Sequence, residues 1–244
     1  MVTVGPIGSC LFSSINYDGL SIRRISMNNV DRINRAIEKN KLHILKKCVF
    51  ESQNVRDEAL TYAAYEGRID MLAYLLSIGA NPCANYSECL NGAAMTGQVE
   101  AFQYLMNVGA EPTAAERSGR REQHFYITTP MSWAVSSDCL EIVKMCLEAG
   151  SSAEFDKNDI LRAAARKSSL KSIEYLLREI FQPETVEKTA DYHLGDSFHA
   201  NRDVTDWWIE NRENIIAHNK VTTARRSLEV RLENKNNRGR RLKI

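Results

Sequence analysis

The chain has 244 residues, 43% hydrophobic and 26% charged, with a formal net charge of +1, ordinary values for a globular protein of one or two domains. No run approaches the roughly 18–20 apolar residues of a membrane-crossing helix, and no Lys or Arg precedes the short apolar patch around Cys10–Phe12, so no secretory leader is expected. The charge is uneven: residues 213–244 carry nine Lys/Arg against three Asp/Glu, while residues 1–212 carry 23 against 28, a mildly acidic body with a basic tail.

Residues 1–27 hold the turn signals Gly5-Pro6, Gly8-Ser9 and Asp18-Gly19, and Leu20, Ile22 and Ile25 flank Arg23-Arg24. An extended or hairpin lead-in packing on the next element is expected there. The pattern then becomes helical and repetitive. A first copy runs through Ala36-Ile37, Asn40, Leu42, Ile44-Leu45 and Cys48-Val49. It carries Lys39, Lys41, Lys46 and Lys47 where other copies are apolar or neutral, which suits an end unit with one solvated side. The second and third copies align without gaps. Ala63-Ala64, Gly67, Ile69, Leu72, Leu75-Leu76, Gly79-Ala80 and Pro82 recur 30 residues later as Ala93-Ala94, Gly97, Val99, Phe102, Leu105-Met106, Gly109-Ala110 and Pro112. A long connection over 111–129 leads to a fourth copy: Thr129-Pro130, Trp133-Ala134-Val135, Leu140, Ile142-Val143, Cys146-Leu147 and Gly150, with Asp138 at the turn. The fifth has Ala163-Ala164-Ala165, Ser168 at the turn, Leu170, Ile173 and Leu176-Leu177, and a looser sixth is read at His199-Ala200, Asp203, Trp207-Trp208 and Asn211. A C-terminal helix is expected through Ile215, Ile216, Val221, Leu228 and Leu232, with a loose basic end from Asn236.

The physics behind the landmarks is simple. Ile69, Leu72, Leu75 and Leu76 fall at helical spacing and make one apolar stripe. Gly79 and Gly109 sit just past the stripe, where a left-handed ending suits glycine, and Pro82 and Pro112 prevent continuation. The Ala pairs let neighbouring copies approach closely. A single helix pair cannot bury its own stripe, so the copies must stack.

These residues resemble the ankyrin repeat. The resemblance covers residues 30–180 well and 181–212 loosely. The Ala landmarks at 36, 63, 93, 134 and 164 are 27 to 30 residues apart except for one step of 41, against about 33 in a typical ankyrin repeat. Several copies lack the family's Thr-Pro-Leu-His box. The resemblance implies an all-α, ankyrin-type helix-pair solenoid with short hairpin-like loops: a lead-in over 1–27, a stack of five to six repeats over 28–212, and a C-terminal helix and basic tail over 213–244. It implies a non-catalytic module that binds, and occludes or tethers, a partner protein through its first-helix face and loop tips, with no cofactor. The irregular copies are similar to those of stand-alone ankyrin proteins of viruses, phages and intracellular bacteria, which implies action on host proteins in a cytoplasm.

Two candidate surfaces follow. Matching positions before each inter-helix turn are Tyr65-Glu66, Met95-Thr96, Ser136-Ser137 and Arg166-Lys167. They vary while the framework repeats, as a changeable reading face would and as a solvated face also would. The long connection brings Arg117, Arg120, Arg121, His124, Phe125 and Tyr126 together. It is either a binding loop rich in hot-spot residue types or an insertion whose aromatics cover the adjacent repeat. Of Trp207 and Trp208, about 100° apart on a helix, one is expected in the core and the other open to contact.

Other chemistry finds little support. The six cysteines include no C-x-x-C, and no Cys/His cluster has zinc spacing. Cys48 and Cys146 fall at helical apolar positions, so reduced, structural thiols of a cytosol-like compartment are expected. Cys10 with His43 or His193 lacks any catalytic signature, and no phosphate loop, H-E-x-x-H or G-x-S-x-G occurs. The alternatives are an effector enzyme with its chemistry in the short end segments, and a nucleic-acid binder acting through the tail. The tail lacks interleaved aromatics for base stacking, so nucleic acid is not the expected partner.

Overall fold

The computed structural model describes residues 20–117, 129–155, 157–195 and 201–241. Among them there is no strand: the elements are α1 (Leu20–Glu38), α2 (Leu42–Leu45), α3 (Gln53–Tyr65), α4 (Ile69–Ser77), α5 (Ala84–Thr96), α6 (Val99–Asn107), α7 (Ala114–Arg117), α8 (Pro130–Ser136), α9 (Leu140–Glu148), α10 (Lys157–Lys167), α11 (Leu170–Tyr175), which widens into π-helical turns over Leu176–Ile180, a π-helical segment Thr185–Gly195, and α12 (Arg202–Arg241). The expected all-α helix-pair solenoid is what forms.

The alanines of the first helices explain their close packing. Ala59, Ala63 and Ala64 of α3, Ala93 and Ala94 of α5, Ala134 of α8, and Ala164 and Ala165 of α10 are all buried. With no long side chain at these positions, the helices line up in the order α1, α3, α5, α8, α10 and the π segment. The second helices form a parallel row, α2, α4, α6, α9, α11 and α12. They bury Met71, Leu72 and Leu75, then Ala101, Phe102 and Leu105, then Ile142, Val143 and Cys146, then Ile173, Leu176 and Leu177. Each set sits between two neighbours, so the apolar core is one continuous strip running the length of the stack.

One backbone device recurs at the turns inside the first five helix pairs. Asn40, Gly67, Gly97, Asp138 and Ser168 have φ of 51°, 66°, 69°, 52° and 57°. The next residue's N–H then reaches back to the first alanine: Lys41 to Ala36, Arg68 to Ala63, Gln98 to Ala93, Cys139 to Ala134 and Ser169 to Ala164, at 2.8–3.4 Å. Glycine suits this conformation, but Asp138 and Ser168 use their side chains across the stack instead. Asp138 Oδ1 accepts from the Ser172 N–H at 2.9 Å, and Ser168 Oγ accepts from Asn201 Nδ2 at 2.8 Å.

The ends depart from expectation in three respects. Of the lead-in expected over 1–27, residues 1–19 lie outside the described set and residues 20–27 belong to α1. His199-Ala200, read as the sixth first helix, also lies outside it. The place of a sixth first helix is filled by the π segment, where Val186, Ala190 and Leu194, four apart, are buried. Beyond it, α12 runs unbroken past both the expected boundary at 212 and the expected loosening at Asn236. Trp208 is buried and Trp207 half-buried, the division expected of two adjacent helical tryptophans. Asp191 joins the last pair, accepting from Trp208 Nε1 at 3.0 Å and from Arg212 Nε at 2.6 Å. Farther along, the buried Asn219 donates to the carbonyls of Leu177 and Phe181 at 2.8 and 2.9 Å, fastening α12 to the π-helical end of α11.

Candidate functional site

The repeated turn sets the geometry of the first-helix face. Because each first helix ends with the same bond, the two residues before each left-handed position lie in register along the stack: Tyr65-Glu66, Met95-Thr96, Ser136-Ser137 and Arg166-Lys167. The first three pairs are half-buried, and Arg166 and Lys167 are exposed. These residues are not equally available to a partner. Thr96 Oγ1 donates to the Tyr65 carbonyl at 2.6 Å, and Ser137 Oγ donates to the Ala94 carbonyl at 2.7 Å. Both hydroxyls therefore bridge adjacent repeats. In the last repeat the Asn201 N–H does the same to Ala165, at 2.8 Å. The Tyr65 ring stacks on Tyr62 with centroids 6.1 Å apart and planes 8° from parallel. Glu66 lies 3.7 Å from Arg68, whose guanidinium also donates to the Glu38 carbonyl.

Charge grades along this face. At the α3–α5 end, Glu58 and Glu88 occupy equivalent positions in adjacent repeats. Burial first, then the neighbouring Glu88 and Asp57 carboxylates, push the Glu58 carboxyl up, against the pull of its Asn54 hydrogen bond. Tyr62 is pushed up by burial and then by Glu66 and Glu38. The α10 end instead carries Arg162, Arg166 and Lys167. The face thus offers an acidic, aromatic end and a basic end.

The long connection contributes less that can be placed. Arg117 closes α7, and Arg120, Arg121, His124, Phe125 and Tyr126 lie outside the described residues. Its start does have a placed role: the Glu116 carboxylate accepts from the Ser152 N–H, with oxygens at 3.0 and 3.2 Å, and burial pushes its pKa up.

Glu116 belongs to a set that sequence reading missed. The backbone N–H just past four of the second helices is held by a side chain from the first-helix side: besides Ser152 by Glu116, Asn81 by Asp57 at 2.6 Å, Glu111 by Ser87 at 3.0 Å, and Gln182 by Glu154 at 2.7 Å. The signal was present in Asp57 and Ser87, which stand 30 residues apart like the other landmarks. Also unforeseen is a left-handed turn at the start of α5, where Asn85, Tyr86 and Ser87 have φ of 47°, 60° and 62°. It aims the Ser87 hydroxyl at Glu111 and leaves Tyr86 exposed.

Among the described residues, no group of three or more His, Cys, Asp or Glu is placed to hold a metal ion, and no helix is long and apolar enough to cross a membrane. His193 Nε2 lies 3.3 Å from Asn158 Oδ1, with its pKa lowered by burial and then by Arg162. Cys89 is pushed up to about 12, chiefly by burial, and burial likewise drives Cys146 upward, so both stay protonated near neutrality.

Paired antiparallel helices stacked side by side, with a left-handed turn inside each of the first five pairs, define a helical repeat architecture. Residues 33–116, from the second half of α1 through α7, match the family of ankyrin repeats (3 copies). That stretch of the chain is similar to ankyrin repeats, which are generally protein–protein interaction modules. A search of curated proteins finds no match.

Proposed function

We propose that this protein is a non-catalytic binding module that occludes or tethers a partner protein through its first-helix face. The observation that carries this reading is the register of the turns, which aligns variable side chains on an invariant backbone. Tyr65, Glu66, Met95, Ser136, Arg166 and Lys167 are the contact residues on this reading, and Thr96 acts by holding the line straight. The rigid stack keeps the ordering cost of association low. The acidic end with its Tyr62–Tyr65 pair suits a basic segment of the partner, as a carboxylate-flanked aromatic face attracts cations. The loop residues Arg117, Arg120, Arg121, His124, Phe125 and Tyr126 join the contact as an extension of this face. The five described cysteines are free, which supports a reducing, cytoplasmic setting, and the resemblance to stand-alone ankyrin proteins favours a host cell's cytoplasm.

A photo-crosslinking residue placed singly at Tyr65, Met95 or Arg166 should give a discrete adduct in cells. The same residue at Asp70 or Glu141, both exposed on second helices, should give none. Adducts only from the second-helix sites would sink the reading.

A further inference from the structure

The outward side of the C-terminal half of α12 is an unpartnered face with a defined chemistry. At about 1.5 Å per residue, its 40 residues span about 60 Å. Burial ends with Asn219, and residues 224–235 are all exposed. Arg226, which bonds the Glu179 carbonyl and carboxylate, makes the outermost tie to the body that the bonds and ion pairs show. On this free length, Val221, Leu228 and Leu232 are 64%, 57% and 60% exposed. At about 100° per residue they fall within an arc of about 40°. That arc lies on the side of the helix away from Trp208, Ile215 and Asn219, the side chains that pack on the stack. Arg225 and Glu229 flank the arc on one edge, and Lys235 and Arg231 on the other, with Arg231 also lining a groove with Ile180 and Gln182. Residues 220–241 hold eight Lys/Arg and two Asp/Glu, a net +6.

We propose that this outer face is a second binding surface, and that its occupant is an acidic amphipathic helix of a partner protein, laid alongside α12 in coiled-coil fashion. The width of the stripe selects a helix. A bilayer surface or a globular core requires an apolar face of about 100° or more, whereas a seam with anchors at i, i+7 and i+11 matches the ridge of one helix. The charge selects acidity: Arg225 and Lys235 fall in the register of the stripe and Arg231 beside it, against the single Glu229, so an acidic partner pairs where a basic one is repelled. Two copies of this helix would place Arg225, Arg231 and Lys235 against like charges. A nucleic acid would use the charge and leave the aliphatic stripe wet. The surface is separate from the first-helix face and does not rest on its assignment.

The test is a fluorescence-anisotropy titration of the full chain with a labelled synthetic peptide of four heptads, Leu at both seam positions and Glu at both flanking positions. Saturable binding is expected, weakened about tenfold or more on raising salt from about 0.05 to 0.5 M. Leu228→Ser with Leu232→Ser should abolish it, with helix content followed by circular dichroism. Arg225→Glu with Arg231→Glu keeps the stripe and should switch preference to the Lys-flanked version of the peptide, so a folding defect cannot mimic the result. Tyr65→Ala should change nothing. The proposal is overturned if the Glu- and Lys-flanked peptides bind alike, or if binding survives loss of the two leucines or falls with Tyr65→Ala. It is equally overturned if the peptide is ignored while phosphatidylserine vesicles, duplex DNA or a second copy of the chain is bound through this helix.

Discussion

Single side chains here act mostly by letting repeats approach or by tying them. Gly92 faces α3, where an added Cβ would sit 2.7 Å from the Thr61 carbonyl oxygen, a backbone atom that moves only if the helices separate. Gly92→Ala should therefore cost about 1–3 kcal/mol, outweighing the usual gain from removing a helical glycine. An unchanged or higher urea midpoint would show that α3 and α5 are not this close. Thr96→Val keeps the volume and loses the bond to Tyr65, for an expected loss of about 1 kcal/mol in the same measurement. Little of this was legible beforehand. The variation of Thr96 between copies points to a contact residue, yet variability and bridging are compatible: Ser137 performs the same task with a different hydroxyl. Tyr86 was invisible for another reason. Three successive left-handed residues, at about 1–2 kcal/mol each outside glycine and asparagine, contradict local preference, and they are held by the Glu111 N–H donating to the Ser87 hydroxyl and by Asn85 donating to Glu88.

Whole helices were far easier to read. The gapless match of 63–82 to 93–112 placed α3 to α6 correctly, since burial requires the same apolar spacing in each copy. The prediction that follows is Leu75→Ala, a fully buried side chain in the last turn of α4. It should cost about 2–5 kcal/mol in denaturant unfolding and loosen the neighbouring pairs together, because they share its surface. A change under about half a kcal/mol would place the stripe elsewhere. The stripe itself needed one adjustment: Met71 is fully buried, while Ile69 and Leu76 are partly so. Reading failed at the last pair, where π-helical turns spread Val186, Ala190 and Leu194 at a spacing of four and no alanine pair announces a first helix. The Asp191 contact there carries a pH signature. The Arg212 hydrogen bonds hold its carboxyl below the ordinary Asp value, with burial opposing and Trp208 assisting. A depressed acid stabilises fully above its unfolded pKa of about 3.9 and loses that contribution as pH falls through its lower folded value. Tryptophan fluorescence should therefore show the last pair holding to about pH 4 and loosening below. Asp191→Asn should weaken it at neutral pH and flatten the acid limb, and an unaltered acid limb would count against the contact.

At the scale of the molecule, stability is distributed along one axis, with each pair depending on its neighbours. Removing residues 228–244 takes away no buried side chain among the described residues, so the melting temperature should shift by less than about 2 °C. A large drop would mean that the distal helix folds back on the stack. The clamp formed by Asn219 and Glu179 also has a mechanical side. With the near half of α12 bolted to the final pair and the far half protruding, the helix behaves as a lever. Tension applied near Arg241 is delivered first to the Asn219 and Asp191 fastenings, so an optical trap should record the stack unzipping from its carboxyl end, one pair at a time, with α1 and α2 released last.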